Sequence, residues 1–243
     1  MNRIKLEKGI IAIGGTSRDE APNFTMKLAN HLAKTKKVLF LTYISYIEKV
    51  KYDIESMDGS VEPNLLIEDS LNRFNVESFL KIINLIKENS IDTVFIDDME
   101  TFIGNGYTID TIFEERNESV VDSFIYLFKT YGVRVVFNVV FRIDIDNTYI
   151  FRGILPTISC FTWNRRMISA CSQIYIVSRP ALNGITEDKS GRSLEDCIRI
   201  LSVKNTNCKN ETIELDNKKH KIYANTKDTT FSESFSSCVN PEN

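Results

Sequence analysis

Histidine is nearly missing from this chain. Only His31 and His220 occur, far apart, so no histidine-based acid–base pair can be assembled from them. The five cysteines, Cys160, Cys171, Cys197, Cys208 and Cys238, are scattered, with no CxxC pair and no histidine at zinc-finger spacing, which argues against a structural zinc site. Cys171 and Cys197 stand beside apolar runs and read as buried thiols acting as small hydrophobes. Long apolar runs are lacking as well. The opening "MNRIKLEKGIIAIGG" breaks at its glycines before it reaches signal-peptide length, and nothing elsewhere approaches a membrane span. The expectation is a cytoplasmic location without membrane contact. Positive charge is not in excess either: 30 Lys+Arg against 33 Asp+Glu give a net charge of −3, so nothing in the composition attracts nucleic acid and only a local basic loop could do so. Asp144 and Asp146 in "IDIDNTYIF" have neither the further oxygen ligands nor the glycine of a calcium loop and read as an exposed acidic turn. No metal site is expected.

What is present is enough for one core. A chain of 243 residues that is 42% hydrophobic predicts a single α/β domain over residues 1–225, followed by a polar, serine-rich, disordered tail over 226–243. No internal repeat is visible. Apolar, β-rich runs recur at "GIIAIG", "KKVLFLTYI", "NLLIEDS", "IDTVFIDD", "VRVVFNVVF", "SQIYIVSR" and "CIRILSVK", with helical spacing between them. In "VESFLKIINLIKENS" the residues Val76, Phe79, Leu80, Ile83 and Ile86 predict one buried helix face. "SVVDSFIYLFKTYG" repeats the device with Val121, Phe124, Ile125 and Phe128 inward and Gly132 as its stop. His31 is expected on the surface of the first helix. Alternation of strand and helix implies a mainly parallel twisted sheet covered by helices on both faces, and "NKKHKIYANTK" is read as a closing hairpin. The short run "NVVF" inside a core strand carries no binding motif.

In an open parallel sheet, chemistry collects at the carboxyl ends of the strands. There "IIAIGG" delivers Gly14 and Gly15, followed by Thr16 and Ser17, and "TVFIDD" delivers Asp97 and Asp98, resembling a Walker B strand, whose aspartate holds magnesium. Read in order from Gly9 to Tyr223, the chain resembles the RecA-like ATPase domain of the DnaB-type replicative helicases. "IIAIGGTSRDEAPNFTMKLANHL" stands for that family's strand, Walker A loop and helix. "NLLIEDSLNRFNVESFLKIINLIKENSIDTVFIDDMETF" stands for an acidic-tipped strand, a helix and the Walker B strand. "YGVRVVFNVVFR" and "MISACSQIYIVSRP" stand for the next core strands, and "CIRILSVKNTNCKNETIELDNKKHKIY" for the closing strands around the family's lysine and arginine finger. The resemblance implies a RecA-like P-loop NTPase fold, a nucleotide site at Gly14, Gly15, Thr16, Ser17 and Asp97, and a RecA-type subunit interface.

The departures point the other way. The Walker A lysine falls on Ala21, the adjacent threonine on Pro22 and the preceding glycine on Glu20, so a phosphate-binding cation, a magnesium ligand and an N–H donor are lost, while Asp19 and Glu20 add negative charge. The water-polarising glutamate falls near Ile44, the glutamine sensor near Val140 and the finger arginine on Thr206, although Lys204 survives. These losses share one chemistry and imply that hydrolysis has been abandoned, leaving Asp97 as a relic or a structural cap. No catalytic residue is assigned and no cofactor is expected. Three readings stay open: a binding or assembly module in DNA replication or mobile-element biology; an active ATPase or helicase subunit using ATP and magnesium, with its cation supplied by Lys27 or a partner; and a regulator that blocks a helicase ring. The resemblance also places Arg165 and Arg166 in a channel-facing loop, where with Trp163 and Lys204 they would hold single-stranded DNA by phosphate contact and stacking. The bland reading is a solvated turn with the tryptophan packed on the domain. Partners implied are another protein or further copies of the chain, with no membrane.

Overall fold

Eight strands form one sheet in the order β3-β2-β4-β5-β1-β6-β7-β8 in the computed structural model, which describes residues 6–16, 21–71, 74–103, 111–141, 165–187, 191–205 and 212–216. The strands are β1 (Ile10–Thr16), β2 (Val38–Leu41), β3 (Leu65–Glu68), β4 (Thr93–Ile96), β5 (Arg134–Phe141), β6 (Cys171–Ser178), β7 (Cys197–Asn205) and β8 (Thr212–Asp216). From β3 through β6 every pairing is parallel; β6, β7 and β8 run antiparallel. The expected architecture, a mainly parallel sheet with helices on both faces, is the one observed.

The apolar runs explain the layering. All four residues of β2 and all four of β4 are buried, as strands covered on both faces must be. One face carries α1 (Ala21–Leu32) and α2 (Ile47–Asp58). The other carries α3 (Val76–Asn89), α4 (Met99–Ile103), α5 (Thr111–Tyr131) and α6 (Arg165–Ala170). In α1 the buried residues Ala21, Phe24, Thr25, Leu28, Ala29 and Leu32 recur at three- and four-residue spacing, one stripe pressed on the sheet. A reciprocal cap starts α3: Asn75 Oδ1 accepts from Ser78 N at 2.8 Å, and Ser78 Oγ accepts from Asn75 N at 2.9 Å. As expected, Gly132 stops α5 in a left-handed conformation (φ 66°), its N–H donating to Phe128 O at 2.9 Å. Gly9, entering β1 at φ 134°, has no room for a side chain, since a Cβ there would lie 2.6 Å from Ser172 Oγ.

Several expectations are corrected. On α3, Ile83 and Ile86 are buried and Phe79 packs half-buried against the core as expected, but Val76 and Leu80 are 77% and 54% exposed and Ile82 takes an inner position, because the sheet covers a stripe rotated around the helix from the one first read. On α5, Val121 and Phe124 are buried as expected, but Val120 and Leu127 take the inner positions while Ile125 and Phe128 are half-buried. His31 is half-buried rather than on the surface, and burial, helped by Lys34, lowers its pKa. The closing hairpin pairs β7 with β8 over "TIELD", earlier than expected. The stretch "NKKHKIYANTK" and the tail over 226–243 lie outside the described residues. Among the described residues no helix is long and apolar enough to cross a membrane.

Candidate functional site

The carboxyl ends of β1, β2, β4 and β5 lie side by side, as a parallel sheet requires. β1 does not break at its glycines. Gly14 pairs with Val139 and Ile176, Gly15 with Val140 and Thr16 with Phe141, so the strand runs through the glycine pair before the chain turns. Ser17, Asp19 and Glu20 lie outside the described residues. The chain re-enters as α1 at Ala21, which is fully buried in the core under the helix, with Pro22 in the first turn. Lys27 lies six residues further on, about 9 Å along the helix axis from Ala21, and on the buried side of the helix.

Asp97 follows directly on β4 and is only 6% exposed. Its Oδ2 accepts from Thr42 Oγ1 at 2.6 Å and its Oδ1 from Tyr43 N at 2.9 Å, and Ile44 adds a further backbone donor. Both carboxylate oxygens are therefore committed to the turn that leads from β2 to α2. Burial pushes the Asp97 carboxyl up to about 6 from its ordinary 3.8, against the lowering effect of the Thr42 and Tyr43 donors, and Asp98 raises it further. The buried hydroxyl of Tyr43 is itself pushed up, by burial first and then by the charges of Asp97 and Glu68.

The neighbouring acids are also engaged in local structure. Asp98 caps α4, accepting from Glu100 N at 2.9 Å and from Thr101 Oγ1 at 2.7 Å. Asp69 Oδ2 accepts from Ile47 N at 3.0 Å at the start of α2, and Glu68 pairs with Lys81 at 3.3 Å. Among the described residues no group of three or more histidine, cysteine, aspartate or glutamate side chains is arranged to hold a metal ion. Ile44, where a water-polarising glutamate would stand, is 54% exposed, and Val140, at the sensor position, is half-buried. Thr206 lies outside the described residues.

Of the residues read as a nucleic-acid contact, only the side chains of Arg166 and Lys204 are among those described. Trp163 lies outside the described residues, as does the side chain of Arg165 at the start of α6. Arg166 pairs with Asp122 of α5 and, at 3.7 Å, with Glu118. Lys204 donates to Ile168 O at 2.8 Å and Ser169 O at 3.0 Å, closing the carboxyl end of α6. Cys171 behaves as expected of an inert thiol: it is buried, and burial pushes its pKa up to about 12. One residue of the site was not singled out from the sequence. Asn138, in β5 and opposite Ile13 of β1, is completely buried within the sheet at the level of these strand tips. The available signal was a lone amide in the middle of the otherwise apolar "RVVFNVVF".

No family model matches the chain, and no curated protein matches it in sequence. Solved structures do. The ATPase domain of a DnaB-like helicase superposes with a TM-score of 0.66 at 11% identity, covering 86% of this chain and 81% of its own. A KaiC-like protein, PH0186, from the hyperthermophilic archaeon Pyrococcus horikoshii OT3 superposes with a TM-score of 0.57 at 14% identity, covering 87% of this chain and 88% of its own. Identities this low speak for the fold alone. On that ground the resemblance seen in the motifs is borne out: the chain has a RecA-like P-loop NTPase fold, of the kind found in DnaB-like helicase domains.

Proposed function

We propose that this chain is a non-hydrolysing RecA-fold protein that serves as a binding, assembly or regulatory module. The observation that carries the reading is the double commitment of Asp97. In a working phosphoryl-transfer site the aspartate at this strand tip serves a magnesium ion and its waters. Here Thr42 and Tyr43 occupy one oxygen each, and the carboxylate fastens the β2–α2 turn. The other end of the site agrees with this. Ala21 is buried where a lysine would reach for phosphate, Pro22 withholds an N–H, and Lys27 lies too far along α1 to take over.

What such a module would engage follows from the fold it shares. A protein partner or further copies of the chain, bound through the surface that RecA-like domains use between subunits, fit a domain that keeps the architecture without the chemistry. A setting in DNA replication or mobile-element biology, in the cytoplasm, belongs to the same reading and is supported by the motif resemblance. The test is phosphate release from ATP with magnesium, with and without single-stranded DNA. No turnover above a buffer blank is expected. Turnover that disappears in Asp97→Ala would overturn the reading in favour of an active ATPase with an unconventional phosphate loop.

A further inference from the structure

Asn138 is completely buried, and neither its Nδ2 nor its Oδ1 has a hydrogen-bond partner among the described residues. Buried amides are paired in nearly all folded proteins, so such a position demands a partner. The strand ladder shows what lies beside it. Asn138 stands opposite Ile13 on one side; on the other, one step beyond the Ile96–Phe137 pair, it is level with Asp97. Phe95 and Val136 both face the α1 layer, and side chains alternate along a strand, so Asp97 and Asn138, each two residues further on, face it as well. Adjacent strands are about 4.8 Å apart, which sets the carboxylate and the amide next to each other under the start of α1, where Ala21 and Phe24 pack.

The chemistry of the partner is narrowly bounded. It must both accept from an amide N–H and donate to an oxygen. An anion would meet the Asp97 carboxylate at close range, and a metal ion would compete with Thr42 and Tyr43 for oxygens already engaged. An apolar group would leave both amide atoms unpaired. Water meets the requirement: with Thr42, Tyr43 and Ile44 donating to it, the Asp97 carboxylate keeps one further acceptor site, and an internal water needs two to four polar partners. We propose that Asn138 and Asp97 together hold buried water beneath the first turn of α1, with Nδ2 donating to a water that donates in turn to the Asp97 carboxylate. Oδ1 accepts from a second water of the same small cluster. The polar row Thr42, Asp97, Asn138 is then continuous across β2, β4 and β5 through solvent held inside the sheet face, whether or not the chain turns over nucleotide.

The experiment is a high-resolution crystal structure of the full chain, with Asn138→Leu and Asn138→Ser for comparison. Ordered water within hydrogen-bond distance of both Asn138 and Asp97 is expected in the parent. The leucine variant should lose it and melt no lower than the parent, because the amide and its water leave together. The serine variant, which opens space and keeps a hydroxyl, should gain water, and it serves as the test if the leucine variant does not fold. An Asn138 amide bonded directly to protein groups, or a dry site in the parent, would overturn the proposal.

Discussion

Replacing Asp97 by asparagine separates a structural clasp from a metal ligand by the sign of its pH dependence. Burial raises the Asp97 carboxyl from 3.8 to about 6, roughly two units, and at 1.36 kcal/mol per unit the folded protein is less stable by about 3 kcal/mol once this group is charged. Because the folded value lies above the unfolded one, this group's contribution to stability is fullest below pH 3.8 and is lost as pH rises through 6. Roughly 2 kcal/mol of that loss falls between pH 4.5 and 7.5. The asparagine of the variant would carry no charge, so it escapes this loss. It still offers one oxygen to the Thr42 and Tyr43 donors, but its NH2 leaves the other without an acceptor, at about 1–3 kcal/mol. The variant should therefore be the less stable protein near pH 4.5 and gain about 2 kcal/mol on the parent by pH 7.5, ending equal to it or ahead. Urea unfolding of both proteins across that range, without magnesium and with it, measures the difference. A flat difference, or one in which the parent gains on the variant as pH rises, would refute the reasoning, as would magnesium that stabilises the parent alone.

Two further outcomes bear on the site. Rebuilding the phosphate loop with Glu20→Gly, Ala21→Lys and Pro22→Thr should create measurable affinity for a fluorescent ATP analogue, while hydrolysis stays negligible for want of a glutamate near Ile44 and an arginine near Thr206. The buried position of Ala21 makes the variant less stable by about 1–3 kcal/mol; equal, tight binding by the parent, or no binding by a folded variant, would contradict the expectation. Replacing Arg165 and Arg166 with alanine should weaken single-stranded DNA binding and flatten its salt dependence, the slope falling by about 0.7 per phosphate contact removed. Because Arg166 already serves Asp122 and Glu118, the effect should be small, and a parent that binds no DNA at low salt would remove these residues from consideration.

The strands were the most legible part of the fold. All seven apolar runs became β1 to β7: central strands such as β2 and β4, buried on both faces, show as uninterrupted apolar runs, and β3 and β7 as runs that alternate. Helix faces were less legible. Val76 and Leu80 satisfy helical spacing as well as Ile82 does, and only the sheet decides which stripe is covered. The short closing strand "TIELD" alternates polar and apolar residues and gave no strong run to read. At the site, the loss of lysine and hydroxyl at Ala21 and Pro22 could be read from residue types alone. For Asp97 residue types left a choice between a relic and a structural cap, because its donors come from Thr42 and Tyr43, more than fifty positions earlier. Asn138 was missed for a related reason: an amide in an apolar strand becomes informative only when the ladder sets it beside Asp97.

The central place of β1 has a consequence for how the chain is made. Its two edges wait for β5 and β6, which lie more than a hundred residues downstream, so on the ribosome β1 emerges long before either partner exists. Until then "IIAIGGT" is an apolar strand with both edges open, the kind of template on which another chain can add. Meanwhile β2, β3 and β4 can already pair among themselves, and β6, β7 and β8 need only local connections once they emerge. The place of β1 between β5 and β6 rests on contacts remote in sequence, the kind that slow folding. The hazard carried by an unpaired β1 therefore belongs to the unfinished chain and is closed once both of its edges are paired.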